Sequence, residues 1–146
     1  MIALLQRVSS ASVTVDEKII GHIEQGLLVL LGIEKNDNLA IGKKLIDKTL
    51  RYRVFADANG RMNNSLIDIN GGLLLVPQFT LAADTKKGLR PSFSSAAAPD
   101  YATSLFHDIL TASSAMYHTI AQGQFGADMQ VSLTNDGPVT FLLSQS

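Results

Sequence analysis

Residues 26–50 read GLLVLLGIEKNDNLAIGKKLIDKTL, and the hydrophobic pattern changes in the middle of this stretch. GLLVLLGI is a short apolar run, which is typical of a strand buried on both faces. Asp37 and Asn38 are candidate helix caps after it, and apolar residues then recur at helical spacing. This helical stripe contains Leu39, Leu45, Ile46 and Leu50. The stretch therefore predicts a buried strand followed by an amphipathic helix of about 14 residues, which Gly42 weakens slightly.

Strand-like runs lie on both sides of this stretch. Ile2–Val8 and the two halves of SVTVDEKIIGHI, residues 12–23, predict strands. Residues 53–81 alternate strand-like runs with turn signals at Asn59-Gly60 and Asn70-Gly71-Gly72, and Asn-Gly is a strong hairpin signal. We therefore expect the strands of residues 53–81 to be antiparallel.

The last third of the chain predicts a second helix and two more strands. Residues 98–117, APDYATSLFHDILTASSAMY, place a proline where a first helical turn allows one and then repeat apolar residues at helical spacing. Met129–Leu133 and Val139–Leu143 look like strands. The order strands, helix, strands, helix, strands predicts an α+β fold, in which a largely antiparallel or mixed sheet carries two amphipathic helices.

Composition narrows the class of protein. The chain has 146 residues, the usual size of one domain, so we expect a single domain over residues 1–146. It has no cysteine, no signal-peptide core and no apolar run of the roughly 18 residues that a membrane span needs, so we expect a soluble, cytoplasmic protein without a membrane partner. The net charge of −1 excludes the overall basic field of proteins that grip long nucleic acids, and any nucleic-acid contact should be small and local.

Familiar catalytic and metal-binding motifs do not occur in the sequence. There is no GxSxG, GxxxxGK[ST] or GxGxxG motif. His22, His107 and His118 do not have the spacing of metal ligands, so we predict no metal site and no cofactor. Any catalysis must come from another arrangement of residues.

Two polar stretches are candidates for that arrangement. In LLLVPQFTLAADTKKGLRPSF, residues 73–93, an apolar strand ends at Gln78-Phe79-Thr80 and a long loop follows. These are either ordinary strand-end residues or an anion hole built from N–H groups and a hydroxyl, and the loop length favours function. In TNDGPVTF, residues 134–141, Gly137-Pro138 is either a hairpin turn or a rigid pair of carbonyl groups aimed at a ligand. The stretch alone does not decide between the two.

Several segments together resemble the D-aminoacyl-tRNA deacylase family. They include QRVSSASVTVD (6–16), PQFTLAADTKKGLRPSF (77–93), GQFGADMQVSL (123–133) and NDGPVTF (135–141), and the resemblance spans essentially the whole chain. The signature motifs of that family are SQFTL and NxGPxT. This chain has Pro77 where the family usually has serine, which removes a hydroxyl and one N–H group but leaves the N–H groups of Gln78, Phe79 and Thr80.

The resemblance implies a barrel-like fold and a homodimer whose active sites lie at the subunit interface. It implies hydrolysis of the ester between a D-amino acid and the terminal adenosine of tRNA, without a cofactor. The catalytic residues that it implies are Gln78, Phe79 and Thr80. Glycine has no side chain, so a site that works by rejecting L side chains cannot exclude it. We therefore expect glycyl-tRNA to be a substrate as well.

The resemblance also implies how the substrate is bound. The Gly137-Pro138 peptide bond would be cis and would present both carbonyl groups to the other subunit's pocket. Arg7 would hold this motif in place. The implied adenine pocket contains Phe125, Gly126 and Met129, although core packing is the plainer explanation of the phenylalanine and the methionine.

The chemistry leaves alternatives open. Attack of water on the ester makes an oxyanion, which N–H donors near Phe79 and Thr80 would stabilise by roughly 2.7–4 kcal/mol each. Thr80 as a covalent nucleophile is the rival, but it needs a base that the sequence does not offer. A nucleic-acid end-binding module without turnover and a purely structural dimer are alternatives of other classes.

Overall fold

The computed structural model describes residues 1–146 and contains eight strands, three α-helices and one short 3-10 helix. The strands are β1 (Ile2–Val15), β2 (Lys18–Ile23), β3 (Gly26–Gly32), β4 (Phe55–Ala56), β5 (Met62–Asn64), β6 (Gly72–Pro77), β7 (Ile120–Gln122) and β8 (Gln130–Ser144). The helices are α1 (Leu39–Arg51), α2 (Leu66–Ile69) and α3 (Pro99–Met116), and the 3-10 helix covers Phe79–Ala82. The α+β class is therefore confirmed, with one more α-helix than the two predicted.

The main sheet is mixed. Its strand order is β2-β1-β3-β6-β7, and β8 pairs with the other side of β1. β1 is antiparallel to β2, β3 and β8, whereas β6 is parallel to both β3 and β7. The expectation of antiparallel strands is thus correct for the short β4-β5 pair and wrong for β6. Parallel neighbours need a crossover, and α1 and α3 lie in the connections that supply it.

The sheet curls until its two ends nearly meet. A Cβ atom on Gly21 of β2 would lie 2.6 Å from the carbonyl oxygen of Gln122 in β7, so the absence of a side chain lets these strands approach. The interior of this near-barrel is a small apolar cluster of Val8, Ala11, Val13, Ile23, Leu28, Leu74 and Val76. The barrel-like shape implied by the resemblance is confirmed.

The larger core lies between the outer face of the sheet and helices α1 and α3. Leu45 and Ile46 of α1 and Phe106 of α3 are almost fully buried in it. Gly42 is the contact point of the two helices, because a Cβ atom there would lie 2.6 Å from Ile109 Cγ1. The glycine that weakens the helix by itself is therefore required for helix packing.

Local signals set the ends of the helices. Asn38 caps α1, where its side chain accepts a hydrogen bond of 3.0 Å from the N–H of Ile41. Asp37, the other cap candidate, instead binds the buried amino group of Met1 at 2.7 Å. α2 replaces a predicted strand-like run, because Ser65 and Asp68 form a reciprocal capping box. None of the helices is long and apolar enough to cross a membrane.

Candidate active site

The stretch TNDGPVTF is a bulge within one long strand. Gln6 pairs with Thr140 and Val8 pairs with Asn135, so Arg7 alone lies opposite residues 136–139. The extra residues leave the ladder, while β8 continues along β1 on both sides of them. The hairpin interpretation is therefore wrong, and the two predicted strands at the end of the chain are one.

Side chains of the motif hold the bulge in shape. Asn135 Oδ1 accepts a hydrogen bond of 3.0 Å from the N–H of Val139, and Asn135 Nδ2 donates one of 2.9 Å to Thr140 Oγ1. The Gly137-Pro138 peptide bond is cis, as expected. Gly137 has a φ of +138°, which side-chain-bearing residues rarely adopt. The asparagine, glycine and threonine of NxGPxT thus each have a structural role.

Arg7 connects the bulge to the body of the protein. Its Nε donates a hydrogen bond of 2.9 Å to the carbonyl oxygen of Asp136, and its Nη1 donates one of 2.7 Å to the carbonyl oxygen of Val54. The Asp136 carboxylate lies 3.7 Å from Nε, and the arginine side chain is only 15% exposed. A planar, always charged guanidinium can make these contacts at once, whereas a lysine has no such fork.

The motif PQFTL forms the junction between β6 and the 3-10 helix. The N–H of Gln78 donates a hydrogen bond of 2.8 Å to the carbonyl oxygen of Leu31, which fixes the end of the strand and, contrary to the expectation, leaves this N–H unavailable to an anion hole. Phe79 and Thr80 open the 3-10 helix, where the first N–H groups have no partner within the helix. These N–H groups are therefore available to a negatively charged oxygen.

The hydroxyl of Thr80 is engaged by its neighbour. The side-chain amide of Gln78 donates a hydrogen bond to Thr80 Oγ1, and this is the one side-chain hydrogen bond of the hydroxyl. An amide donor uses a lone pair of the oxygen and takes no proton from it, so it does not activate the hydroxyl as a nucleophile.

An apolar cavity of about 260 Å³ lies beside this junction. Phe79, Phe125 and Gly126 line it together with the start of α3. Phe93, whose role the sequence does not predict, packs its ring against that of Phe79 with a centroid distance of 5.1 Å. Aromatic rings at an apolar cavity can hold a flat aromatic group.

Met129 does not line this cavity. Its sulfur accepts a hydrogen bond of 3.4 Å from the N–H of Gln124, and its side chain packs against the interior cluster of the near-barrel. It lies under the turn that carries Phe125 and Gly126, 2.9 Å from where a Cβ atom of Gly123 would be. In the structure the methionine therefore supports that turn from below.

The two signature motifs do not meet within one chain. Pro77 pairs with Leu31, and Leu31 pairs with Ala3, so the end of β6 is level with residue 3 of β1. The bulge in β8 is level with residue 7 of β1. This is roughly 13 Å along the strands, and three strand spacings add roughly 14 Å across the sheet. The bulge of one chain therefore cannot reach the cavity of the same chain.

Comparisons with known proteins agree on one family. Residues 4–144 match the family model described as D-Tyr-tRNA(Tyr) deacylase. The D-aminoacyl-tRNA deacylases of Cellvibrio japonicus and Pseudomonas fluorescens are each 59% identical to this chain over 143 residues, which is 98% of this chain and 98% or 99% of theirs.

Two solved structures have the same fold. One, named c-Myc DNA Unwinding Element Binding Protein, is 39% identical and superposes with a TM-score of 0.94 over 99% of this chain and 98% of that one. The other, a probable eukaryotic D-amino acid tRNA deacylase, is 16% identical and superposes with a TM-score of 0.79 over 97% of each chain.

Proposed function

The chain belongs to the D-aminoacyl-tRNA deacylase family, and from this membership we infer that it hydrolyses the ester bond between a D-amino acid and tRNA. The observation that carries this inference is the match to relatives of that name along nearly the whole length of both chains. Both signature motifs are present, with one departure at Pro77.

The terminal adenosine of the substrate binds in the 260 Å³ cavity. Phe79 and Phe125 offer ring faces on which the base stacks, and base–aromatic stacking contributes about 1–3 kcal/mol per base. Gly126 has a φ of +77° and open space around its Cα, so the backbone can come close to the base. This pose puts the 3′ ester next to the first turn of the 3-10 helix.

Hydrolysis needs one water molecule and an anion hole. The water oxygen bonds to the ester carbonyl carbon, and the N–H groups of Phe79 and Thr80 stabilise the oxyanion that forms. Collapse of this intermediate breaks the bond to the ribose oxygen, which takes a proton that the water gives up. The products are the free amino acid and tRNA with its terminal hydroxyl restored.

The side chains of Gln78 and Thr80 act as positioning groups in this mechanism. The hydrogen bond between their side chains fixes both next to the anion hole. The engaged hydroxyl, and the lack of a general base on it, support direct attack by water over a covalent threonine intermediate.

The active enzyme is a homodimer in which each chain completes the site of the other. The support for this is the separation of the two motifs, together with a bulge that projects from a strand with a free edge. β8 pairs only with β1, and Leu133, Phe141 and Leu142 on it are exposed apolar residues. A second copy would cover these residues and bring its Gly137-Pro138 bulge to the cavity.

Chiral selection follows from the backbone of that bulge. The carbonyl groups of Gly137 and Pro138 would occupy the space that an L side chain needs, and backbone cannot rotate away as a side chain can. Sparing L-aminoacyl-tRNA by about 10⁴-fold takes about 5.5 kcal/mol, which is more than the 1–3 kcal/mol that an apolar pocket gains from one methylene. Exclusion of L side chains is therefore a better explanation than attraction of D side chains.

DNA binding without turnover is the second candidate function. The name of the 39% identical structure concerns a DNA unwinding element. The net charge of −1 favours a small contact with the end of a nucleic acid over a long one. A catalyst and a binding module differ in turnover, which an assay with trace protein measures directly.

The test is hydrolysis of D-tyrosyl-tRNA and L-tyrosyl-tRNA by trace amounts of the protein. We expect many turnovers on the D substrate and at least about 10³-fold less on the L substrate. Stoichiometric or absent release of D-tyrosine would contradict the proposal and favour a binding module. A cytoplasmic location, where aminoacyl-tRNAs are used, fits this activity.

A further inference from the structure

A basic loop, residues 85–91, lies between Asp84 and Ser92. These two residues exchange backbone hydrogen bonds of 2.7 and 3.0 Å, which close the base of the loop. Asp84 Oδ1 also accepts a hydrogen bond of 3.0 Å from the N–H of Lys86, and Gly88 turns the chain with a φ of +70°. The loop therefore has a defined base and turn from which its side chains project.

The cations of the basic loop have no acidic partner. Lys86, Lys87 and Arg90 are exposed, and none forms an ion pair within the chain. Of the nearby carboxylates, Glu34 faces the same hollow as Lys86 but binds the Met1 amino group at 2.8 Å.

The other nearby carboxylate, Asp84, is directed at the backbone of the loop. Its single negative charge is smaller than the charge of the three cations, so the loop region is locally positive on a chain of net charge −1. Such a field attracts a polyanion to this one place on the surface.

The basic loop stands next to the candidate active site. Ser92 at its base is followed by Phe93, whose ring packs on Phe79 at the cavity. Three residues on each arm can carry the tip at most roughly 10 Å beyond the base, and the lysine side chains add their own length. Leu89 at the tip is fully exposed. The cations can therefore reach a ligand that extends outward from the cavity.

We propose that the basic loop binds backbone phosphates of the double-helical acceptor stem of the tRNA. This inference rests on the proposed function, since the cavity must hold the terminal adenosine. The terminal adenosine is the last of about four unpaired nucleotides, so about four stacking steps of roughly 3.4 Å, or roughly 14 Å in all, separate it from the stem. The base of the basic loop is joined through Phe93 to the cavity, and the loop with its lysine side chains can reach over a similar distance, so its cations would meet the first phosphates of the duplex.

The contact is electrostatic and independent of the sequence of the stem. Lysines act as point charges on phosphate oxygens and do not read base edges in the deep, narrow major groove of an RNA helix. The basic loop thus raises affinity for any tRNA, while the chemistry at the ester depends on the cavity and the anion hole.

The experiment compares two substrates and two matched variants. The substrates are a D-tyrosyl minihelix, which has the stem and the unpaired 3′ end, and D-tyrosyl-CCA, which has only the last three nucleotides of the unpaired end. The variants are Lys86→Gln/Lys87→Gln in the basic loop and Lys43→Gln/Lys44→Gln on the exposed face of α1. Both remove two positive charges, so they differ only in where the charges were.

Loss of two phosphate contacts makes the slope of log kcat/KM against log salt concentration shallower by about 2 for the minihelix. Between 50 and 200 mM salt the wild type should therefore lose about tenfold more kcat/KM than the basic-loop variant does. We expect all three proteins to hydrolyse D-tyrosyl-CCA within twofold of one another, and Lys86→Arg/Lys87→Arg to restore the minihelix rate.

Three results would overturn the inference. One is an unchanged salt slope on the minihelix in the basic-loop variant. The second is an equal loss on the minihelix and the trinucleotide, which would put the lysines at the single-stranded end. The third is an equal effect of the α1 variant, which would show that the effect depends on the net charge of the protein and not on the position of the lysines. If the wild type hydrolysed neither substrate, the proposed function itself would fail.

Discussion

Replacing Gly137 by alanine tests the bulge most directly. A Cβ atom at this position would lie 2.6 Å from Val139 Cγ2, 3.0 Å from the N of Val139 and 3.2 Å from Arg7 Nη2. The φ of +138° adds backbone strain, and such conformations cost about 1–3 kcal/mol in residues other than glycine. The bulge must therefore move, and the contact with Arg7 moves with it.

The cost can be converted into a rate. If only chains with the native bulge complete a partner's site, 1–3 kcal/mol lowers kcat/KM for D-tyrosyl-tRNA by about 5- to 150-fold. We also expect the ratio of D to L hydrolysis to fall, because a displaced bulge no longer fills the space of an L side chain. The assay is single-turnover hydrolysis of both substrates, with melting temperature as a check on folding.

Gly60→Ala is the matched control. Gly60 also has a positive φ, +77°, but a Cβ atom there meets nothing within 4 Å. The control should lose a little stability and keep its activity and its D to L ratio. A folded Gly137→Ala protein with wild-type rates on both substrates would refute the role given to the bulge.

Three further outcomes follow from the site and the fold. Glycyl-tRNA should be hydrolysed at a rate much nearer that of D-tyrosyl-tRNA than that of L-tyrosyl-tRNA; resistance equal to that of the L substrate would mean that the D side chain is recognised positively. Thr80→Ala should keep much of its activity, and a loss of kcat beyond about 10⁴-fold with the fold intact would restore the covalent mechanism. Hydrogen bonds from the N–H and the hydroxyl of Ser65 lower the pKa of Asp68 in the folded protein. The carboxylate therefore contributes to stability above its unfolded pKa of about 3.9, and this contribution is lost as the pH falls through the lowered pKa. Melting temperatures measured from pH 7 to pH 2 should therefore fall more steeply for the wild type than for Asp68→Asn.

The sequence predicts well those helices and strands that depend on residues close together in the chain. The start of α1, the proline in the first turn of α3 and the strand β3 depend on caps, hydrophobic period and turn residues, which act within a few positions. The start of α2 also depends on a local signal, because Ser65 and Asp68 have capping-box spacing. That spacing is present in the sequence, but the surrounding run also has the pattern of a strand.

The sequence does not predict strand neighbours in the same way. Whether β6 is parallel to β3 depends on how α1 packs across the sheet, and a buried apolar run such as GLLLVP fits either direction. Gly137-Pro138 is compatible with a bulge and with a hairpin turn. Only the pairing of β1 with β8 on both sides of Arg7 distinguishes the two. The position of Met129 below its turn likewise depends on closure of the near-barrel.

The candidate site residues come from the two motifs rather than from spacing. Gln78, Phe79 and Thr80 lie about 60 residues from Gly137-Pro138 in the sequence, and a single chain holds them apart. No periodicity relates residues this far apart, which in the proposed homodimer would come together only when two chains associate. Phe93 was missed because one aromatic residue in a polar loop carries no local signal of what it packs against.

The pairing of β1 with β8 has a consequence for synthesis on the ribosome. Ile2 pairs with Ser144 and Thr14 pairs with Gln130, so one whole edge of the first strand is satisfied by the strand that is made after all the others. Until β8 emerges, that edge carries unpaired N–H and C=O groups that any other nascent strand can engage. Contacts this distant in sequence also slow folding. We therefore expect the nascent chain to depend on protection of its first strand, and the native fold to form only after β8 has emerged from the ribosome.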